Sequence, residues 1–524
     1  MIDLLTAHAA HQPDKVAVVD DRGPANVRIL TYGELEDRAN RLAHVLLDQG
    51  VSAGSKVVWC GPNSAGVVEF VNAARKIGAT AVPLNYRLSD DEAAFVIDHS
   101  DATLVYADAA HAPMFDRIAD RLSEVRRVLV FDGDGSDAAV SVDSLLARAP
   151  STPPEPPPEE AANGATMIYT SGTTGRPKGA FRRRSASPEQ MGALLASIGF
   201  RADDVHLTTG PLYHSGPGGF MGIALAMGQT IVVQHKFEPV EWLRLLETYR
   251  CSSTFAAPTP IRMVCALDRQ VLDRYDRSSL RIMIANAAPW SFALKQRYLE
   301  LFPAESLFEV YGSTELGVNT ILRPEDQLSK PGSCGREAPM VEIRLYADDG
   351  TVVTGTGPES TGELYVRSPS VFADYYKQHD KFLEDHRDGF QTVGDIAYRD
   401  DEGYLYICDR KKDMIISGGM NIYPAEVEAA LEQHPEIYEA AVIGVPDEDW
   451  GESVHAVVVR RSGSELDEEA VMGHVRGLVA GYKVPRSISW SDELPKTGSG
   501  KVLKRELRQS IRAEGGSDAR PSGR

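Results

Sequence analysis

From Thr31 to Asp108, strand-sized apolar runs alternate with capped amphipathic helices, and no other feature restricts the fold of this chain as strongly. The segment TYGELEDRANRLAHVLLDQG carries Thr31 and Glu34 as a capping box, Leu35, Ala39, Leu42 and Leu46 at helical spacing, and Gly50 as a stop. KVVWC, a helical stretch from Ser64 to Ile77, TAVPLN, a second capping box at Ser89 and Glu92, and ATLVYAD follow in order. Short strands that are apolar throughout must be covered on both faces, so the pattern predicts a parallel sheet between helix layers, an α/β architecture.

The 524 residues leave room for three or four compact units of about 150 residues each. Six prolines between Pro150 and Pro158 exclude helix and sheet and predict an exposed extended connector at 150–158. The α/β pattern resumes through ATMIYT, TIVVQ and LRIMIA. The last hundred residues differ: a Pro-initiated helix at PAEVEAALEQH, strands AAVIGV and VHAVVVR, a helix from Leu466 to Val479 and a strand near Ile488 predict a small α+β unit. The expected division is a large N-terminal domain of stacked α/β subdomains at 1–408, a small α+β C-terminal domain at 409–510 joined at 409–413, and a disordered tail at 511–524.

A content of 43% hydrophobic and 25% charged residues excludes a disordered or collagen-like chain. Fifty-five Lys and Arg against 75 Asp and Glu leave a net charge of −20, so no nucleic-acid partner is expected and any phosphate ligand needs a local cationic pocket. The five cysteines are never spaced as C-x-x-C, which argues against a disulfide framework or structural zinc and for a reducing compartment. The N-terminus has no export pattern and no run of 18 apolar residues occurs, so a cytoplasmic protein without an integral membrane span is expected; peripheral membrane contact stays open. H-E-x-x-H, G-x-S-x-G and zinc spacing among the 13 histidines are absent.

The segment most informative about chemistry runs from Tyr169 to Gly179, YTSGTTGRPKG, directly after the strand-like ATMI. Gly172, Gly175 and Gly179 let backbone N–H groups approach an anion, Thr170, Ser171, Thr173 and Thr174 add hydroxyl donors, and Lys178 adds a point charge. The physical reading is a polyphosphate-binding loop; the plain alternative is a flexible Ser/Thr/Gly loop. It is not a Walker loop, since Pro177 stands where that motif needs Gly and Gly179 where it needs a hydroxyl. Arg176, Lys178, Arg182, Arg183 and Arg184 form a cationic run that could steer phosphates, although a solvated face is the preferred reading of Arg182–Arg184.

This loop resembles the signature of the adenylate-forming superfamily of acyl-CoA synthetases, peptide-synthetase adenylation domains and firefly-type luciferases. The resemblance continues in order through PLYHSGPGG (211–219), ANAAPW (285–290), YGSTELG (311–317), GELYVRSPSVFADYY (362–376), DGFQTVGDIAY (388–398), DRKKDMIISGGMNIYPAEVE (409–428) and PKTGSGKVLKREL (495–507). It implies that Thr170, Ser171, Gly172, Thr173, Thr174, Gly175 and Lys178 hold the ATP phosphates and that Thr314 meets the α-phosphate. It further implies that Glu315 holds Mg²⁺ and that Asp395 and Arg410 hold the ribose. Adenine is expected between Asn286, Ala287 and Ala288 and the face of Tyr311, next to Gly312. The family's usual pair of glycines is replaced by Asn286 and Ala287, which is expected to narrow the base pocket or the adjoining acyl channel.

Lys501, on a glycine-rich approach, corresponds to the catalytic lysine whose ammonium bridges substrate carboxylate and α-phosphate as charge builds. Lys412 corresponds to the hinge about which the mobile small domain turns, bringing Gly418 and Gly419 beside a pantetheine tunnel. His214 stands at a gate of the acyl pocket, and the absence of an acid after Tyr213 argues against an amino acid substrate. Gly216, Gly218, Gly219, Ala285, Ala287 and Ala288 either leave volume for a large apolar acyl group or serve tight backbone packing. The implied function is an ATP-dependent acid:CoA ligase acting on a fatty or bulky hydrophobic carboxylic acid through an acyl-adenylate, with ATP, Mg²⁺ and CoA. The alternative is an acyl-AMP ligase that loads a carrier protein. A homodimer stays open.

Overall fold

The computed structural model describes residues 3–135, 139–159, 165–170, 177–183, 187–288, 290–418, 420–447, 449–496 and 502–515. Both capping boxes form: the Thr31 N–H donates to Glu34 Oε2 at 2.8 Å while the Glu34 N–H donates to Thr31 Oγ1 at 3.2 Å, and Ser89 and Glu92 repeat the exchange. They start the helices Tyr32–Asp48 and Asp90–His99. The first buries Leu35, Leu42 and Leu46 completely, in one cluster with Phe70 and Trp59, each leucine contributing about 2 kcal/mol by burial.

Four sheets organise the described residues. One has eight strands in the order Asp374–Tyr375, Lys178–Arg183, Ala165–Thr170, Thr80–Leu84, Lys56–Cys60, Ala102–Asp108, Arg127–Phe131, Ala139–Ser141. Its centre is parallel, as the apolar runs predict. A second, of nine strands, is parallel from Val16–Asp21 through Thr230–Val233, Val205–Thr208, Ser253–Ala256 and Ile282–Ala285 to Leu307–Ser313. Ala256, Ala285 and Ser313 end neighbouring strands at one edge, the place where open α/β sheets take ligands.

The third sheet departs from the expected α/β stacking. Glu342–Tyr346, Gly362–Arg367, Phe390–Arg399, His386–Arg387 and Leu405–Arg410 pair antiparallel, with one face on a cluster that includes Leu316, Ile343, Leu364, Val366 and Leu405. Turns such as Asp348-Asp349-Gly350 and a stretch holding the short helix His379–Glu384 link them, and no two of these strands pair parallel. The fourth sheet is the expected α+β unit: Ile437–Asp447 and Gly451–Arg460 form a long hairpin, Ser487–Ser491 joins in parallel, and the helices Pro424–Leu431 and Glu468–Arg476 contribute to its core. The helix Lys504–Gly515 runs into the tail expected from 511, with Leu507 and Ile511 packed on the sheet; residues 516–524 lie outside the described residues. The connector at 150–158 holds neither helix nor strand and is tied down, its flank by Arg41 to the Ala149 carbonyl at 2.6 Å and its start by Asn40 to the Ser151 carbonyl at 2.9 Å.

His206 is 1% exposed on a central strand of the nine-stranded sheet, beside Ser253 Oγ at 3.1 Å. Burial lowers its pKa from 6.5 to about 4, against a weak opposing pull from Asp204. The unfolded chain therefore takes up this proton first, and stability is lost as pH falls from about 6.5 to about 4, by at most roughly 3 kcal/mol. Urea denaturation of wild type and His206→Gln at pH 7 and pH 4.5 checks this: the acid-induced drop in midpoint should be smaller in the variant.

Candidate functional site

Ala165–Thr170 and Lys178–Arg183 form an antiparallel hairpin with Thr170 opposite Lys178. The loop carrying Ser171, Gly172, Thr173, Thr174 and Gly175 therefore joins two strands, with no helix after it to lend a dipole. Those five residues and Arg176 lie outside the described residues, as do Gly419 and Lys501. Lys178 is 6% exposed with Nζ 5.3 Å from the centroid of Tyr375. Burial, reinforced by Lys381, pulls its pKa below the usual lysine value despite Asp385 and Glu315. An anion brought to this ammonium would relieve that burden.

Two clusters face the same cleft, of about 4160 Å³. In the first, Thr170 Oγ1 donates to Glu315 Oε1 at 3.0 Å, Tyr375 OH donates to the same oxygen at 3.3 Å, and the Phe372 N–H holds the Glu315 carbonyl at 2.7 Å. Thr314 Oγ1 shares a 2.8 Å hydrogen bond with Ser215 Oγ. Glu315 Oε2 is left to other partners, a donor set suited to Mg²⁺ arriving with phosphate oxygens and needing one carboxylate. Among the described residues no group of three His, Cys, Asp or Glu side chains could hold a metal on its own.

In the second cluster Asp395 and Arg410 stand opposite each other on paired strands, Nε to Oδ1 at 3.4 Å, and Tyr311 OH donates to Asp395 Oδ2 at 2.6 Å. Burial alone would lower the Arg410 pKa, but the charges of Asp395 and Glu315 outweigh it and raise it. Burial and Asp395 drive the Tyr311 phenol far above its ordinary value, so it stays a neutral donor. A buried carboxylate with one hydroxyl and one cation beside it is fit to accept from a diol.

Asn286 and Ala287, expected to narrow the base pocket or the adjoining acyl channel, both line the cleft. The Asn286 amide turns to the neighbouring strand, donating to the Val310 carbonyl and accepting from the Ala287 N–H. Ala287 adopts φ +74°, the left-handed backbone that a glycine takes without penalty. Ala287→Gly is expected to be silent, whereas Ala287→Val, with a branched side chain in this region, should cost roughly 1–3 kcal/mol and weaken ATP binding. Thermal melts with and without ATP check both.

Small residues in the acyl region divide in two. A Cβ at Gly216 would meet Phe255 Cζ at 2.3 Å and one at Gly218 the Leu212 carbonyl oxygen at 2.6 Å, so these serve packing. Gly219 faces open space, Ala285 is wholly buried, and Ala287 and Ala288 line the cleft. His214 precedes the helix Ser215–Ala226 at its N-cap position, without a side-chain capping bond, and lies against Tyr213, ring centroids 4.5 Å apart. Phe220 and Phe255 stack at 5.3 Å and form an apolar wall with Met191, Leu194, Ile223, Val318 and Ala338. Gly312 is required sterically, since a Cβ there would sit 2.1 Å from the Gly317 carbonyl oxygen.

Lys412 is exposed in the turn between Leu405–Arg410 and Ile415–Ser417 and lines the cleft. Gly418, expected beside the tunnel once the small domain has turned, is not among the residues lining this cleft: with φ +57° it packs on Trp450, where a Cβ would meet Cε3 at 2.5 Å. The two domains touch through Arg262, 3.5 Å from both Glu432 and Glu439. Sequence reasoning assigned no role to Tyr375 or Ser215 and preferred a solvated face for Arg182. The signal for Tyr375 is its place after Asp374 in ADYY, at the end of the GELYVRSPSVFADYY stretch.

Residues 5–376 match the AMP-binding enzyme family and 426–501 the AMP-binding enzyme C-terminal domain. The chain belongs to the adenylate-forming superfamily, in its acyl-CoA synthetase branch. It is 35% identical over 508 residues to the indoleacetate–CoA ligase of Aromatoleum aromaticum, covering 96% of each chain. To a feruloyl-CoA synthase of Amycolatopsis it is 36% identical over 92% of this chain and 94% of the relative. ATP-bound MatB from Rhodopseudomonas palustris superimposes with a TM-score of 0.84 at 28% identity, over 97% of this chain and 98% of the other. Among the described residues no helix is long and apolar enough to cross a membrane.

Proposed function

We propose that this acid:CoA ligase acts on a bulky, ring-bearing apolar carboxylic acid. In the first step the carboxylate oxygen attacks the α-phosphorus of ATP and the α–β bridge bond breaks, giving acyl-adenylate and pyrophosphate. In the second the CoA sulfur attacks the acyl carbon, the acyl–oxygen bond breaks, AMP leaves and the thiol proton passes to solvent. Thr170 and Lys178 hold phosphate oxygens, Thr314 orients the α-phosphate, Asp395 and Arg410 hold the ribose, and Lys501 is delivered by the small domain turning at Lys412. Mg²⁺ bound with ATP at Glu315 would neutralise the triphosphate charge.

The observation that carries the substrate reading is the apolar wall beside Thr314. Gly216 lets Phe255 fill the floor of the slot, so depth for an extended chain is exchanged for an aromatic surface. Stacking on such a surface is worth about 0.5–1.5 kcal/mol beyond area burial. The relatives named for indoleacetate and ferulate support the same choice, while a 31% identical relative from Mycobacterium tuberculosis is named for long-chain fatty acids. CoA-dependent AMP release across aryl, arylacetic, bicyclic and straight-chain acids tests it. Ring-bearing acids should lead by about tenfold or more in kcat/KM; a lead for C12–C18 chains would overturn it. Phe255→Ala should narrow the gap.

A further inference from the structure

Side chains alternate along the strand Lys178–Arg183, so Lys178, Ala180 and Arg182 share one face. Lys178 is 6% and Ala180 0% exposed, and Ala180 packs with Phe372 and Tyr375. Arg182 is directed to the same side. Its Nη1 donates to the Thr314 carbonyl at 2.5 Å and its Nη2 to the Ser370 carbonyl. Around this bridge the Phe372 N–H holds the Glu315 carbonyl at 2.7 Å, and the Gln190 amide donates to Ser368 Oγ at 2.9 Å and accepts from Ser370 Oγ at 2.7 Å. The bridging guanidinium thus ties three parts together: the strand leaving the phosphate loop, the turn bearing Thr314 and Glu315, and the segment from Ser368 to Phe372.

We propose that Arg182 is a positioning residue for adenylation, fixing through the Thr314 and Ser370 carbonyls where the Thr314 hydroxyl and the Glu315 carboxylate stand when ATP arrives. The proposal rests on the reading of Thr314 and Glu315 as ATP-facing groups. A planar fork can hold two carbonyls at a set spacing, which one ammonium cannot do. The turn is tightly seated besides, since Gly317 has φ +77° and a Cβ there would meet Ser370 Cβ at 2.8 Å. Loss of the fork frees Thr314 and Glu315 to shift by a fraction of their contact distance, which is enough to cost about 10²-fold in a reaction that depends on placement.

The test compares full-length wild type, Arg182→Ala, Arg182→Lys and, as an exposed-arginine control, Arg269→Ala. Three quantities are read: acid-dependent ATP–pyrophosphate exchange, equilibrium binding of a non-hydrolysable ATP analogue with and without Mg²⁺, and the melting temperature. Arg182→Ala should exchange about 10²-fold more slowly and lose most of the gain in analogue affinity that Mg²⁺ confers. Millimolar guanidinium should restore part of both, Arg182→Lys should fall between, and Arg269→Ala should match wild type. Exchange and Mg²⁺ gain within about threefold of wild type in Arg182→Ala overturn the proposal. So does a loss that follows a lowered melting temperature and is not rescued by guanidinium, which would leave Arg182 a structural brace only. If Arg182→Ala does not fold, Arg182→Lys decides: an unchanged Mg²⁺ gain overturns it, a reduced one supports it. A wild type without exchange on any acid would instead contradict the proposed function, and analogue binding would still report on the brace.

Discussion

Lys501→Ala is expected to slow acid-dependent ATP–pyrophosphate exchange by about 10²–10³-fold while leaving the reaction of preformed acyl-adenylate with CoA within a few-fold. The first half-reaction builds charge between the entering carboxylate and the α-phosphate, and an ammonium placed there gains strength only in the transition state. The second expels AMP and makes no such demand on that lysine. Lys501 itself lies outside the described residues; of those flanking it, Lys496 and Val502 pair in an isolated β-bridge, the Leu503 N–H donates to the Pro495 carbonyl at 2.8 Å, and Pro495, Lys496 and Val502 all line the cleft. Parallel assays of exchange and of thioester formation from synthetic acyl-adenylate separate the two steps. Equal loss in both would remove the lysine from the role given to it.

Glu315→Gln is the second large effect. The amide keeps the shape and an acceptor oxygen for the Thr170 and Tyr375 hydroxyls but removes the charge. As the carboxylate proposed to meet the metal, its neutralisation should raise the Mg²⁺ concentration at half-maximal rate by about tenfold and lower the saturated rate by about 10²-fold. Thr170→Val should act more mildly, within about tenfold, since Tyr375 still donates to the carboxylate. Titrating Mg²⁺ at saturating ATP, with melting temperature as a control for folding, distinguishes lost metal handling from lost structure.

Much of this site was legible because its chemistry sits in short contiguous motifs. Thr31 and Ser89 announced their helices through local capping, and Asp395 and Arg410, fifteen residues apart, meet because two strands of one hairpin place them opposite each other. What stayed hidden depends on partners distant in the chain. Arg182 reads as one of three consecutive arginines until the strand's alternation and the approach of Thr314 and Ser370, more than 130 residues away, are known. Gly216 reads equally well as acyl volume or as tight packing until the position of Phe255 decides for packing. The Asn286 amide could have faced the base or the sheet, and only the position of Val310 decides between them. The antiparallel third sheet carries no helical crossover signal to miss, only turn residues whose pairing depends on register.

The central claim is that one cleft makes an acyl-adenylate and hands the acyl group to CoA. Incubating the protein with MgATP and a ring-bearing acid, without CoA, and analysing the quenched mixture by mass spectrometry tests it most directly. An enzyme-bound acyl-adenylate in near-stoichiometric amount, converted on addition of CoA to thioester and AMP in equal yield, is the predicted result. Thioester formed with ADP in place of AMP, or an adenylate that CoA leaves untouched, would contradict it.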